Sequence, residues 1–165
     1  MALALLLSTA LAMAGFLVTS VQGFLLASAL PAAARGLVAQ HVGWAIPTVL
    51  VSLFSQSMVI FYFIGTGKLV KEEIAAFPEK ERAAVLAALR RLKARTSPAA
   101  TFSLLSAIGV FVLGGAVHTR ALPSWTHLAA AVSAFLIHGW ALAAEWHAFV
   151  ENNLLMDDPL AYARR

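Results

Sequence analysis

The residues with chemistry to offer are five histidines and one isolated carboxylate in otherwise apolar sequence. His41, His118 and His127 are the candidate ligands for a transition metal, and the same three with His138 are the candidates for haem b. Neutral imidazoles from different helices can bind a metal when they face a common axis, and two can hold a haem iron axially. Each ligating ring also needs its second nitrogen held by a partner, which Thr48, Ser124 and Thr126 supply only in part. His127, His138, Glu145 and Asn152 follow one another at intervals of 11, 7 and 7 residues. At about 100° per helical residue these positions return within roughly 20° of one line. Ala134 and Ala141 share that line, and His147 faces the other way. His138 and Glu145 are therefore the candidates for a proton relay with His127. The gaps along the axis are about 16 and 10 Å, so a relay needs water or substrate between them.

The composition bounds this chemistry. There are 165 residues, 61% of them hydrophobic and 12% charged, and the mean hydropathy is +0.81. A soluble domain is about 45–50% apolar and about 25% charged. So few polar residues cannot clothe a soluble fold of this length. A soluble enzyme, a nucleic-acid-binding module and a disordered chain are excluded, and an integral membrane protein is left. The chain has no cysteine, which removes thiolate metal sites, iron–sulfur clusters and thiol redox chemistry. It has no HExxH zinc motif and no glycine-rich phosphate loop. The net charge of +4 is read as the basic excess of cytoplasmic loops rather than as a nucleic-acid footprint.

Charged residues divide the sequence into four blank stretches, each long enough for one span of about 20 residues and none comfortable for two. The spans are predicted at 3–30, 42–67, 99–119 and 125–151. Backbone groups in lipid must be satisfied internally, so the spans are helices. Ala12-Met13-Ala14 offers a small-residue cleavage site. No Lys or Arg precedes the apolar run, however, and the run continues to Leu30, so the first stretch reads as a retained span rather than a signal peptide. Between spans two and three lie Lys68, Lys71, Lys80, Arg82, Arg90, Arg91, Lys93 and Arg95, and the tail adds Arg164 and Arg165. The other side has only Arg35 and Arg120. This asymmetry predicts both termini and the middle loop in the cytoplasm, in a bacterial inner membrane.

The fold expected is all-α: an integral membrane four-helix antiparallel bundle, one domain over 1–165, with an amphipathic cytoplasmic helix at 78–95. Pro78 suits a first helical position, and the order of Glu79 and Glu81 before Arg90, Arg91, Lys93 and Arg95 complements the helix dipole. Val85, Ala88, Leu89 and Leu92 share one face, which reads as lying on anionic headgroups or as docking a partner. Ser97-Pro98 is expected to end this helix before span three. On span two, His41, Thr48, Ser52, Ser55, Tyr62 and Thr66 form one broad polar face with Gln56 beside it. Gly15, Thr19, Gln22 and Gly23 on span one, and Ser103, Ser106, Gly109, Gly114 and Gly115 on span three, suit close helix packing. His138 is expected to bond to Gln56, Ser55 or Ser57, or to Thr19 or Gln22, or to line a quinone or haem pocket shared with a neighbour. Glu145 and His147, near Trp140 and Trp146, are expected at the cytoplasmic interface, where such residues are ordinary.

Two classes of function fit. One is a redox subunit holding haem b or a transition metal near the non-cytoplasmic face and exchanging electrons with quinol or a periplasmic carrier. The alternative is a cofactor-free accessory subunit that assembles a larger membrane complex. A small-solute or ion transporter is a third, weaker fit, because no acidic residue is placed at mid-membrane. In every case the partners are the lipid bilayer and other membrane subunits.

Overall fold

A computed structural model describes residues 2–28 and 30–164, without the side chains of 31–33. Arg165, counted above with the basic tail, lies outside the described residues. The elements are α1 (Ala2–Ala27), α2 (Pro31–Glu73), a 3₁₀ turn (Ile74–Ala76), α3 (Glu79–His118), α4 (Ser124–Asp157) and a short α5 (Pro159–Ala163). α1 to α4 are each long and apolar enough to cross a membrane. Each lies against the next in sequence, and α1 closes on α4, so the four form an up-down-up-down bundle. Both ends of the described chain and the α2–α3 turn sit at one end, called here the basic end. At the opposite end α3 stops in a tight turn in which Arg120 takes φ 61°. The amide of Ala121 there donates to the carbonyl of Ala116 at 2.9 Å, the hydrogen bond of a helix stop with a left-handed residue.

Several boundaries differ from expectation, and α2 and α4 also run six residues past their expected ends, to Glu73 and Asp157. α2 begins at Pro31, eleven residues before the expected start, and Pro31 occupies a first-turn position where its missing N–H costs nothing. Arg35 is thus inside a helix, not in a loop. The helix expected at 78–95 is not a separate element: Pro98 lies inside α3, which runs unbroken from Glu79 to His118. A mid-helix proline removes the bond to the carbonyl four residues earlier. That residue, Ala94, is exposed, while Leu92, Thr96, Ala99 and Ala100 around it are buried. Packing of the buried face holds the helix through the proline, and the freed carbonyl lies on the open side.

At about 1.5 Å per residue, α2 and α3 measure about 64 and 60 Å, against a hydrocarbon layer of about 30 Å. The excess at the basic end forms a second core. Val70, Ile74, Val85, Ala88, Leu92, Ala148 and Leu155 are buried together, with Phe77, Leu89 and Tyr162 packed against them. The apolar face of 78–95 therefore meets α2, the 3₁₀ turn and α4, rather than headgroups. α5 is tied down beside it: Asp158 caps it by accepting from the amide of Ala161 at 2.8 Å. The Tyr162 hydroxyl donates to Glu151 Oε1 at 2.6 Å, and Arg91 reaches the same carboxylate at 3.9 Å. Burial first, then the Glu151 carboxylate, pushes the Tyr162 hydroxyl above the ordinary tyrosine pKa.

Candidate functional site

The interior of the bundle carries polar side chains in layers, because α1, α2 and α4 each turn a seam of small and polar residues inward. On α1 the seam is Thr9, Ala12, Phe16 and Thr19. On α4 it is Ala134, His138, Ala141, Glu145 and Asn152, the stripe read from the sequence. The register of α1 on α2 is fixed where Gly15 faces Thr48.

At the end away from the basic end, His41 and His127 meet edge to face with ring centroids 6.0 Å apart. Gly23 borders the His41 ring, and Gly114 on α3 lets the His127 ring approach its backbone. The Nδ1 atoms of both rings and Oε1 of Gln22 are buried without a hydrogen-bond partner. His118, the third ligand expected here, is exposed on the last turn of α3, one helical turn beyond Gly114. Among the described residues no three His, Cys, Asp or Glu side chains gather closely enough to hold a metal ion. The expected three-imidazole set thus reduces to a pair.

His138 is fully enclosed. Its Nδ1–H donates to the Ala134 carbonyl at 2.8 Å, so its Nε2 accepts from the Ser52 hydroxyl at 2.6 Å. One nitrogen faces a group that can only accept, and this fixes the neutral tautomer. The Phe16 ring lies against the imidazole at 4.6 Å. Ser52 belongs to the polar face expected on span two, but it was not among the expected partners of His138. Both nitrogens of this ring are thus engaged within the bundle. Two clefts open on the surface, one lined by Ala84, Ala87, Arg91, Tyr162 and Ala163, the other by Ile46, Val49, Leu50, Leu53, Ile108 and Phe111. Neither of these two is lined by a histidine.

Ser52→Ala should leave the imidazole Nε2 buried and unpartnered. A loss of about 1–3 kcal/mol is expected, read as a lower thermal midpoint in detergent. Ser52→Ala with His138→Phe should recover much of it, because both polar partners are then gone.

Two turns toward the basic end, Glu145 is also fully buried. The hydroxyl of Thr9 donates to its Oε2 at 3.0 Å. Thr9 lies 2.9 Å from Ser55, the Ser8 hydroxyl donates to Ser55 at 2.9 Å, and the Gln56 amide nitrogen reaches Thr9 at 3.3 Å. Glu145 therefore faces the bundle interior, whereas Trp146 and His147 beside it are exposed. Ser8 and Thr9 escaped the sequence reading, although Thr9, Ala12, Phe16 and Thr19 repeat on one side of α1. Below Glu145 an apolar layer of Leu5, Leu6, Val59, Ala100 and Phe149 intervenes. Beyond it the Asn152 amide donates to the Tyr62 hydroxyl at 3.2 Å, and Thr66 donates to the Asn152 carbonyl oxygen at 3.4 Å. The proton relay expected of His127, His138 and Glu145 has hydroxyl groups beside its two inner members, and these three titratable groups stand in separate layers.

This arrangement can hold four helices in one register, bind a small ligand at the histidine pair and store a proton at the enclosed carboxyl group. Comparison with protein-family models, with curated proteins and with solved structures gives no match to this chain.

Proposed function

We propose that this membrane-embedded four-helix protein is a cofactor-free subunit that assembles with, and stabilises, a larger membrane complex, its basic end in the cytoplasm. The observation that carries the reading is the employment of the imidazoles. His138 is consumed by hydrogen bonds within the bundle, His118 and His147 look outward, and only His41 and His127 meet. Haem would need two opposed ligands, and the one histidine pair that meets does so edge to face. The outer faces meanwhile present large side chains such as Phe54, Phe61, Phe102, Trp140 and Trp146, which suit lipid and neighbouring helices alike.

Purification in mild detergent, followed by native mass spectrometry, metal analysis and an absorbance spectrum, tests this. The expected result is a colourless, metal-free chain recovered in fixed ratio with other membrane proteins. A Soret band abolished by His41→Ala or His127→Ala defeats the proposal in favour of the redox reading. A second reading has one observation of its own: the paired rings of His41 and His127 each keep an unpartnered Nδ1, as a transition-metal ligand pair would. Stoichiometric metal that disappears in either alanine variant is its signature. Labelling from outside the cell should leave Arg91 and Arg164 variants bearing a cysteine unmodified if the basic end is cytoplasmic.

A further inference from the structure

The Glu145 layer has more hydrogen-bond acceptors than hydrogens to fill them. Oε1 of Glu145 and Oε1 of Gln56 are both buried without a partner, although both side chains are fully enclosed and the Gln56 amide borders the Glu145 carboxyl group. Thr9 has one hydroxyl hydrogen, and it serves Oε2 of Glu145. Turning the Gln56 amide around does not cure the shortage. Its nitrogen would then serve the carboxylate, but its oxygen would take the Thr9 hydrogen and leave Oε2 bare. The layer is one hydrogen short in either orientation.

Among the described residues no cation is at hand to compensate. α1 carries no titratable side chain. On α2 the nearest titratable groups are Tyr62, below the apolar layer, and His41, at the far end. α3 has none between Arg95 and His118. On α4 itself the neighbours are His138 two turns above, whose ring bonds to Ser52 and Ala134 rather than to the carboxyl group, and Glu151 below, while His147 is exposed on the opposite face. The ion pairs among the described residues involve Glu72, Glu79 and Glu151, not Glu145. A fully enclosed carboxylate with one donor and no counter-charge is disfavoured.

We propose that Glu145 is a proton-binding site of the bundle, in which the neutral acid donates from Oε1 to Oε1 of Gln56. Uptake is a single protonation. One O–H bond forms on the carboxylate, its charge goes from −1 to zero, and the new hydrogen satisfies both bare oxygens at once. Leu5, Leu6, Val59, Ala100 and Phe149 close the side toward the basic end. The inference does not depend on the assembly role proposed above.

Infrared difference spectroscopy of the purified chain in lipid nanodiscs tests it. The other carboxyl side chains, Glu72, Glu73, Glu79, Glu81, Glu151, Asp157 and Asp158, are exposed or partly exposed, so Glu145 is the enclosed one. The expected result is a protonated-acid carbonyl band at neutral pH that Glu145→Gln removes and Gln56→Leu shifts to higher frequency. It should disappear as the pH is raised, and be the same in sodium as in choline chloride. Absence of the band from the wild-type chain at neutral pH overturns the proposal. So does a band that sodium abolishes, because a metal cation then occupies the site. As a check independent of spectroscopy, Glu145→Gln copies the shape of the neutral acid and should melt with the wild type at neutral pH. A clearly lower midpoint overturns the assignment, because the ionised carboxylate is then the form the fold uses.

Discussion

Phe149→Ala is expected to lower the unfolding free energy by about 3–5 kcal/mol. The ring is 1% exposed and sits where all four long helices meet. It stacks on Phe63 at 5.2 Å with 20° between planes, and it takes the edge of Tyr62 at 5.1 Å. Leu5 and Leu6 come from α1, Val59 from α2 and Ala100 from α3. Truncation removes the two aromatic contacts, worth about 0.5–1.5 kcal/mol each beyond area burial. It also leaves a cavity that the surrounding helices cannot fill, since each is held by contacts above and below. In a bilayer the apolar transfer term is weaker than in water, because lipid tails are themselves apolar, so packing carries most of the loss. Phe149→Leu keeps most of the volume and should cost less than about 1.5 kcal/mol. The midpoint of unfolding in a denaturing-detergent titration measures both. Equal midpoints for Phe149→Ala and the wild type would mean that the four helices do not converge there.

Gly15→Leu is the second large effect, a loss of about 1–3 kcal/mol or more. A Cβ on Gly15 would lie 2.8 Å from Cγ2 and 3.0 Å from Cβ of Thr48, closer than side chains approach. Thr48 cannot swing aside. It is β-branched in a helix, which leaves it little rotamer freedom, and its hydroxyl donates to the Trp44 carbonyl at 2.8 Å. α1 must then lift from α2, which pulls Thr9 and Ser55 apart a few turns away. Gly15→Ala paired with Thr48→Gly moves the notch from one helix to the other. Its loss should be smaller than the sum of the single losses by about 1 kcal/mol or more. Thermal melts of the four proteins read the coupling directly, and additive losses would disprove the close approach.

Much of the architecture is written in the positions of charged residues. The blank stretches mark four helices, and α1, α3 and α4 reach their expected ends at the face away from the basic end to within a few residues. The α4 stripe is real as well, because a seven-residue repeat of small and polar side chains has only one direction to face. Three things escaped. Proline at 98 suggested a stop because the local cost of a lost hydrogen bond is visible in sequence, whereas the burial of Leu92, Ala99 and Ala100 that overrides it is tertiary. His118 was grouped with His41 and His127 because sequence gives depth along a helix, but its direction around the axis depends on how neighbouring helices are rotated. The partners of Glu145 and His138 depend on the register of α1 against α2. That register is set by a glycine facing a threonine, a signal that composition carries faintly. The amphipathic face of 78–95 was legible, but not what covers it, since protein and headgroups ask the same pattern of a helix.

α2 and α3 cross the bilayer and continue beyond it as single rods, with the 3₁₀ turn and α5 clamping their protruding ends. The same two helices carry His41 and Gly114 at the opposite end, so one continuous stretch of helical backbone joins each clamped tip to the histidine pair.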